Sequence, residues 1–394
     1  MTRFSSVATL ATSLILLTTA CGLPEDGASS SDDGPVNVGL STVLSGGTAG
    51  LGAAVVEGAE LAVKLANKEG GIDGRDLKLL VEDNGCNTTD GVGAISKLSD
   101  SSPTPVAVLG AFCSNATLAS MPVVERSKIP LLVDTAAAAS ITEGAGVGGN
   151  EWVFRWGGND DAFARIMVDY LIQETDIRDV SIVVDNTDYG QGGLASIKRA
   201  IEGSDITVAT EDTLDLTTAD FTPTLTRIER ADPDAVFIWS VAVPGTLSFL
   251  TQYGDSNLRS LPLVGRPNND AATIEVYKDK GITGLSAFHY DAAADTEGNK
   301  KFMAVWEEEY GNLDNSAFGY YGYQGMLIAI AAMEEADELT PEGVRDALQN
   351  LDYGPSILGG RIKFDDHHQA HNKAAVLNLS GEGAELIALL DTED

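Results

Sequence analysis

Two periodicities alternate along this chain, and the alternation runs twice. Short apolar runs are each followed, after a turn, by a longer stretch with apolar positions at helical spacing. In the first series the apolar runs are Val36–Leu40, Leu77–Glu82, Val106–Gly110 and Leu131–Val133. Helical patterns lie between them over Ala53–Asn67, Thr88–Leu98 and from Ser114 to about Ser127, where Pro122 strains the turn it occupies. After the glycine-rich stretch 144–149 and the segment Trp152–Trp156 the alternation restarts. Helices are predicted over Asp161–Gln173, Gln191–Ile201, Phe221–Arg230 and Gly245–Tyr253, and strands over Val180–Asp185, Ile206–Leu216, Ala235–Ser240 and Leu261–Gly265. Continuous apolar runs suit strands buried on both faces of a parallel sheet. The repeated β–α order therefore predicts two doubly wound α/β lobes. Gly284–Tyr290 returns toward the first lobe. Helices over Asn299–Tyr310, Ala317–Ala336 and Pro341–Leu351 follow, then short closing strands over Gly360–Phe364, Ala374–Leu379 and Leu386–Leu390. Ligands of open α/β sheets bind outside the carboxyl ends of the strands. With two lobes facing each other, that place is the cleft between them.

The stretch Val106–Thr117 is the first candidate for a binding element. Its strand ends at Gly110, and Ser114 and Asn115, both good helix caps, open the helix behind it. Free backbone N–H groups and the positive end of the helix dipole can hold a carboxylate there, with the Ser114 hydroxyl as a further donor. An ordinary helix cap would carry the same residues.

The chain has 394 residues, enough for two cores. Its 59 acidic and 25 basic residues leave a net charge of −34, which repels nucleic acid and anionic lipid and argues against either as a partner. The N-terminus reads as a processing signal over residues 1–20: Arg3 precedes an apolar run, Val7–Leu17, that is too short to span a bilayer. Leu17–Cys21 resembles a bacterial lipobox, except that Thr18 stands where an aliphatic residue is usual. Cys21 is then the lipidated first residue of the mature protein, and the polar, acidic residues 21–35 are a tether without periodicity. Lipidation of Cys21 leaves Cys86 and Cys113, each just past a predicted strand. If those strands are sheet neighbours, their ends come within disulfide reach, and an oxidising compartment permits the bond.

Six segments, taken in order, carry a family resemblance: Val38–Gly46, Asn67–Arg75, Glu82–Cys86, Gly110–Ser114, Asp185–Gly192 and Asp220–Leu225. Together they resemble the solute-binding proteins of branched-chain amino-acid ABC transporters, the leucine/isoleucine/valine type. The resemblance covers nearly all of the chain after Pro35. It implies a type I periplasmic-binding clamshell joined by three hinge crossovers, with one lobe over 36–154 and 288–368 and the other over 155–287 and 369–394. It also implies a Cys86–Cys113 disulfide, a membrane permease as partner, and no cofactor, metal or catalytic residue.

Ligand positions follow from the same resemblance. Ser114 matches a serine that helps hold the ligand's α-carboxylate, and Phe112 and Ala136 match positions offering backbone groups. Tyr189 matches a tyrosine that closes over the ligand from the second lobe. Ser45, Thr135 and Asn268 complete the expected lining. Leu51 stands where relatives carry a pocket tyrosine, Ala138 where they carry a threonine, and Ala242 near a further replaced tyrosine. Where relatives carry a glutamate that pairs with the ligand's ammonium, this chain has Arg266, Pro267 and Asn268, with Asp270 the nearest acid. Arg266 favours an anionic ligand if it points inward; a surface salt bridge would account for it equally.

The turn Asp365–His371 has side chains of the metal-ligating kind in close order, but a solvated turn explains it. The expected protein is thus a monomeric, lipid-anchored, extracytoplasmic solute-binding protein of an ABC importer that takes an amino acid or related small carboxylate. A ligand sensor of the same fold is the alternative, and an exported α/β enzyme a more distant one.

Overall fold

The computed structural model describes residues 34–393 except Ala242, Asn269, Leu313 and Asp314. The signal, Cys21 and most of the tether lie outside the described residues, as does Ala242. The first sheet contains β1 (Val36–Thr42), β2 (Leu77–Asp83), β3 (Val108–Gly110), β4 (Leu131–Val133) and β5 (Val153–Arg155), in the order β2-β1-β3-β4-β5 and parallel throughout. Helices α1 (Ala49–Lys68), α2 (Thr88–Ser99), α3 (Ser114–Ser127) and α4 (Ala139–Glu143) connect its strands. Its two faces carry separate cores. Val38, Leu40, Leu109 and Phe154 pack toward α1, while Val108, Leu131 and Val133 pack toward α2 and α3.

The second sheet has seven strands. Four are parallel, namely β6 (Asp179–Asp185), β7 (Thr207–Leu214), β8 (Ala235–Trp239) and β9 (Leu263–Arg266), with helices α5 (Asp160–Glu174), α6 (Asp188–Ile201), α7 (Thr222–Ala231), α8 (Pro244–Asp255) and α9 (Ala271–Lys280). Strand β10 (Gly284–Phe288) adds parallel to β9. The chain then crosses to the first lobe for α10 (Glu297–Tyr310), α11 (Ser316–Glu335) and α12 (Pro341–Asn350), and returns for β11 (Lys373–Ser380) and β12 (Gly383–Asp391), both antiparallel. The order is β12-β11-β10-β9-β8-β6-β7. The two doubly wound lobes of the sequence reading are therefore present, and the chain passes between the sheets three times: after β5, after β10 and before β11.

Several local expectations change. Gly360–Phe364 forms no strand; its backbone makes only single bridges, Tyr353 to Ile362 and Phe364 to Ala370. Helix α9 falls where no helix is predicted, because its apolar positions do not gather on one face, and Asp270 caps it by accepting from the Ala272 and Thr273 N–H groups. Helix α3 runs through Pro122. The turn after residue 364 is not wholly solvated: His368 is buried, stacked on Phe154 with ring centres 4.0 Å apart.

The crossovers share one buried polar knot. Arg155, 1% exposed, donates from Nε to Gln369 Oε1 at 2.6 Å and from Nη1 to the Ala138 carbonyl at 2.8 Å. Gln369 in turn donates to the carbonyls of Gly157 and Ala370 at 2.8 and 2.7 Å. Two of the three crossovers are thereby bonded to each other, and His289, buried in the third, rests edge-on against Phe163 and Tyr321. In the first lobe, α1 and α11 cross at backbone contact. A Cβ on Gly58 would lie 1.9 Å from the Gly319 carbonyl oxygen, and one on Gly322 would lie 1.8 Å from that of Val55.

Cys86 and Cys113 are bonded, with Cα atoms 5.4 Å apart. The strands they follow are not neighbours, however: β1 lies between β2 and β3. The bridge spans β1 because both cysteines sit on loops beyond the sheet edge, where Asn84 ties the loops together. Its amide donates to the Ala111 carbonyl at 2.8 Å and accepts from the Cys86 N–H at 3.0 Å.

Both cysteines should resist alkylation in the native, unreduced protein. Replacing either by serine should cost about 3.5 kcal/mol on the loop-closure estimate for the 27-residue separation; alkylation of both cysteines without reductant would disprove the bond. A pH effect also follows. Burial raises the Asp134 carboxyl to about 6 and the Asp160 carboxyl to about 7. With folded values above the unfolded ones, their contribution to stability is complete below about pH 4 and is lost as pH rises through about 6 to 7. Unfolding free energy should fall from about pH 4 to pH 7, and Asp160→Asn should flatten part of that fall; an unchanged slope in the variant would refute Asp160's share.

Candidate functional site

Both sheets reverse strand order at a point that faces the other lobe. In the first sheet β1 has β2 on one side and β3 on the other; in the second β6 stands between β7 and β8. Loops diverge there and leave a crevice beyond the carboxyl ends of the strands. A cavity of ≈ 340 Å³ occupies the space between the two crevices.

The first-lobe wall is built by the loops after β1, β3 and β4. Asp83 accepts from the N–H groups of Leu44 and Gly85, holding the Ser45–Thr48 loop over the strand ends. Phe112 adopts a left-handed backbone (φ 60°) and sets its ring against Phe318 of α11, with centroids 6.1 Å apart. Ser114 opens α3 and is 3% exposed. Its Oγ accepts from the Ala138 N–H at 3.3 Å, so the hydroxyl proton is left to donate. The first N–H groups of α3 have no acceptor within the helix. Thr135 Oγ1, on the same wall, is buried without a hydrogen-bond partner.

The second-lobe wall repeats this construction. Asp185, at the end of β6, accepts from the Thr187 N–H at 2.8 Å and from the Val241 N–H at 2.7 Å, pinning the loops after β6 and β8. Tyr189, in the first turn of α6, enters the cavity wall; burial raises its phenol while the Arg266 charge opposes the rise. Arg266 ends β9, 6% exposed, with its guanidinium carbon 4.2 Å from the Phe163 ring centre, 4.9 Å from Phe288 and 5.7 Å from Trp239. Its Nε and Nη1 have no acceptor in the protein. Asn268 donates to the Ser240 carbonyl at 3.2 Å. Asp160 lies behind this wall rather than in it, fully buried, and burial outweighs the pull of the Arg266 and Arg155 charges on its carboxyl.

Ser45, Leu51, Phe112, Ser114, Thr135, Ala136, Tyr189, Arg266 and Asn268 all line the cavity. Ala138 does not. It is buried one layer back, where its N–H meets Ser114 and its carbonyl meets Arg155. Asp270 is spent on capping α9 and does not line the cavity either. Sequence reading missed Thr187, Ser240, Val241, Val243, Phe288 and Phe318. The first four follow second-lobe strand ends and were findable by the carboxyl-end rule; Phe318 arrives from a helix 200 residues downstream of the loop it touches, and nothing local marks it. The lobes approach each other at two places: a Cβ on Gly47 would lie 3.1 Å from Pro244 Cδ, and one on Gly192 would lie 3.5 Å from Ala138 Cβ. The site is a half-open, largely apolar cleft with neutral donors on one wall and a cation on the other.

The sequence profile of the periplasmic binding protein family matches residues 35–384. A Leu/Ile/Val-binding protein homolog of Brucella melitensis is 25% identical over 301 residues, 76% of this chain and 79% of the relative. Among solved structures, the isoleucine complex of the branched-chain amino-acid transporter substrate-binding protein LivJ from Streptococcus pneumoniae has a TM-score of 0.79 at 21% identity, covering 91% of this chain and 99% of that one. A solute-binding protein of an ABC transporter from Rhodopseudomonas palustris, in complex with p-hydroxybenzoic acid, has a TM-score of 0.81 at 20% identity, covering 91% and 98%. These relatives are binding proteins of transporters, not enzymes. The chain belongs to the periplasmic binding protein family.

Proposed function

We propose that this chain is the extracytoplasmic solute-binding lipoprotein of an ABC importer, and that it captures an amino acid or related small carboxylate by closing its two lobes. The observation that carries the reading is the pairing of two half-sites at facing switch points, already in contact at Gly47–Pro244 and Gly192–Ala138. The lobes comprise 36–154 with 288–368, and 155–287 with 369–394. Ligand docks first on the Ser114 wall, and the Tyr189 and Arg266 wall then closes and excludes water. The closed monomer presents both lobe surfaces to a membrane permease, and lipid on Cys21 keeps it at the membrane. The two ligand-bound neighbours hold one acid with an ammonium and one without, so the shared fold does not choose between them.

Small carboxylates should raise the melting temperature, since binding to the native state alone stabilises it by about 2.7 kcal/mol at a hundredfold excess over Kd. The same ligands should reduce the radius of gyration in solution scattering, without turnover. Ser114→Ala should weaken binding about fivefold, the loss of one hydrogen bond worth about 1 kcal/mol. Solute turnover, or stabilisation without closure, would contradict the mechanism. Expression in a bacterial host should give a membrane-bound, acylated protein, detected by mass spectrometry of the N-terminal peptide, and Cys21→Ser should release it.

A further inference from the structure

We infer that the cleft takes a carboxylate that bears no ammonium group, on an apolar body about the size of a branched aliphatic or single-ring aromatic side chain. The inference rests on the reading of the cleft as the solute site.

The charged group on the chamber wall is a cation. Among the described lining residues there is no aspartate or glutamate, and Arg266 is the ionised side chain. An ammonium brought into this chamber would lose water and meet a guanidinium instead of an acid, and a buried charge without a partner is costly. The acids that lie near do not line the cavity. Asp270 caps α9, and Asp185 holds the Thr187 and Val241 amides. Asp160 is fully buried outside the lining, its carboxyl oxygens have no hydrogen-bond partner, and burial outweighs the pull of the Arg266 charge on it.

The geometry of Arg266 also points to a carboxylate. Three aromatic rings surround the guanidinium, and its Nε and Nη1, sealed from the cavity as it stands, have no acceptor in the protein. Guanidinium nitrogens in a fixed fork match the two oxygens of a carboxylate. The opposite wall offers the Ser114 hydroxyl and the α3 amides, neutral donors suited to a keto or hydroxyl oxygen. Between these poles the lining is apolar, from Leu51, Phe112, Val241, Val243 and Phe318, and favours a hydrocarbon body over a second charge.

The test is a matched pair measured by calorimetry on the intact protein. Leucine and 4-methyl-2-oxopentanoate share one hydrocarbon body and one carboxylate, and differ in ammonium against keto oxygen. The oxo acid should bind at least tenfold more tightly, with benzoate measured alongside as the aromatic probe. Arg266→Gln should cost the oxo acid at least tenfold and narrow the gap; Arg266→Lys should keep the order of the two ligands at weaker affinity. Ligand-free melting of each variant separates a folding defect from a binding one. Leucine binding as tightly as its oxo acid, or tighter, would overturn the inference and leave the solute-site reading standing. Tighter binding of glutarate would overturn the single-carboxylate assignment. Silence from all four ligands would also overturn it, and the solute-site reading falls as well only if a panel of amino acids, amides and polyols gives no stabilisation.

Discussion

The bond between Arg155 and Gln369 is the constraint on which the arrangement of the lobes depends. Each residue stands on a different crossover, and each is buried. A buried guanidinium is tolerable only when its donors are satisfied, and here they reach Gln369, Thr142 and the Ala138 carbonyl. One of those acceptors belongs to the strand-end loop that also supports Ser114. The same side chain therefore fixes the crossovers to each other and to the floor of the binding site.

The two walls of that site are made by one device used twice. A polar side chain at the carboxyl end of a strand collects amide hydrogens from neighbouring loops: Asn84 and Asp83 in the first lobe, Asp185 in the second. The walls then differ in charge. The first ends in a hydroxyl and helix amides, the second in an arginine wrapped by aromatic rings. On a surface carrying a net charge of −34, a cation facing inward is protected from the many carboxylates that would otherwise pair with it.

The architecture was legible because strands and helices announce themselves locally. Continuous apolar runs placed ten strands close to their observed bounds, among them β4 at Leu131–Val133 without change. The errors have physical sources. Helix α9 has little apolar contrast, and its cap, Asp270, looked like a free acid. The neighbour relation of β2 and β3 is a property of the sheet, not of either strand, so the disulfide stands although the adjacency does not. Much of the candidate lining could be placed because loops after parallel strands converge on one edge. Ala138 misled because its role passes through backbone groups, which side-chain identity does not reveal. Whether Arg266 faced in or out was undecidable locally, since the rings that bury it come from α5, β8 and β10.

The crossing of α1 and α11 bears on how the two halves of the chamber share the work of recognition. With carbonyls where glycine hydrogens are, neither helix can slide without steric overlap. The Ser45–Thr48 loop leads directly into α1, and Phe318 stands at the start of α11. These contributors to one wall are thus parts of a single rigid block, shaped before any solute arrives and spared the entropy of ordering upon it. Discrimination between solutes of similar outline then falls to the opposing wall, whose Tyr189 and Arg266 stand on α6 and β9 of the other lobe.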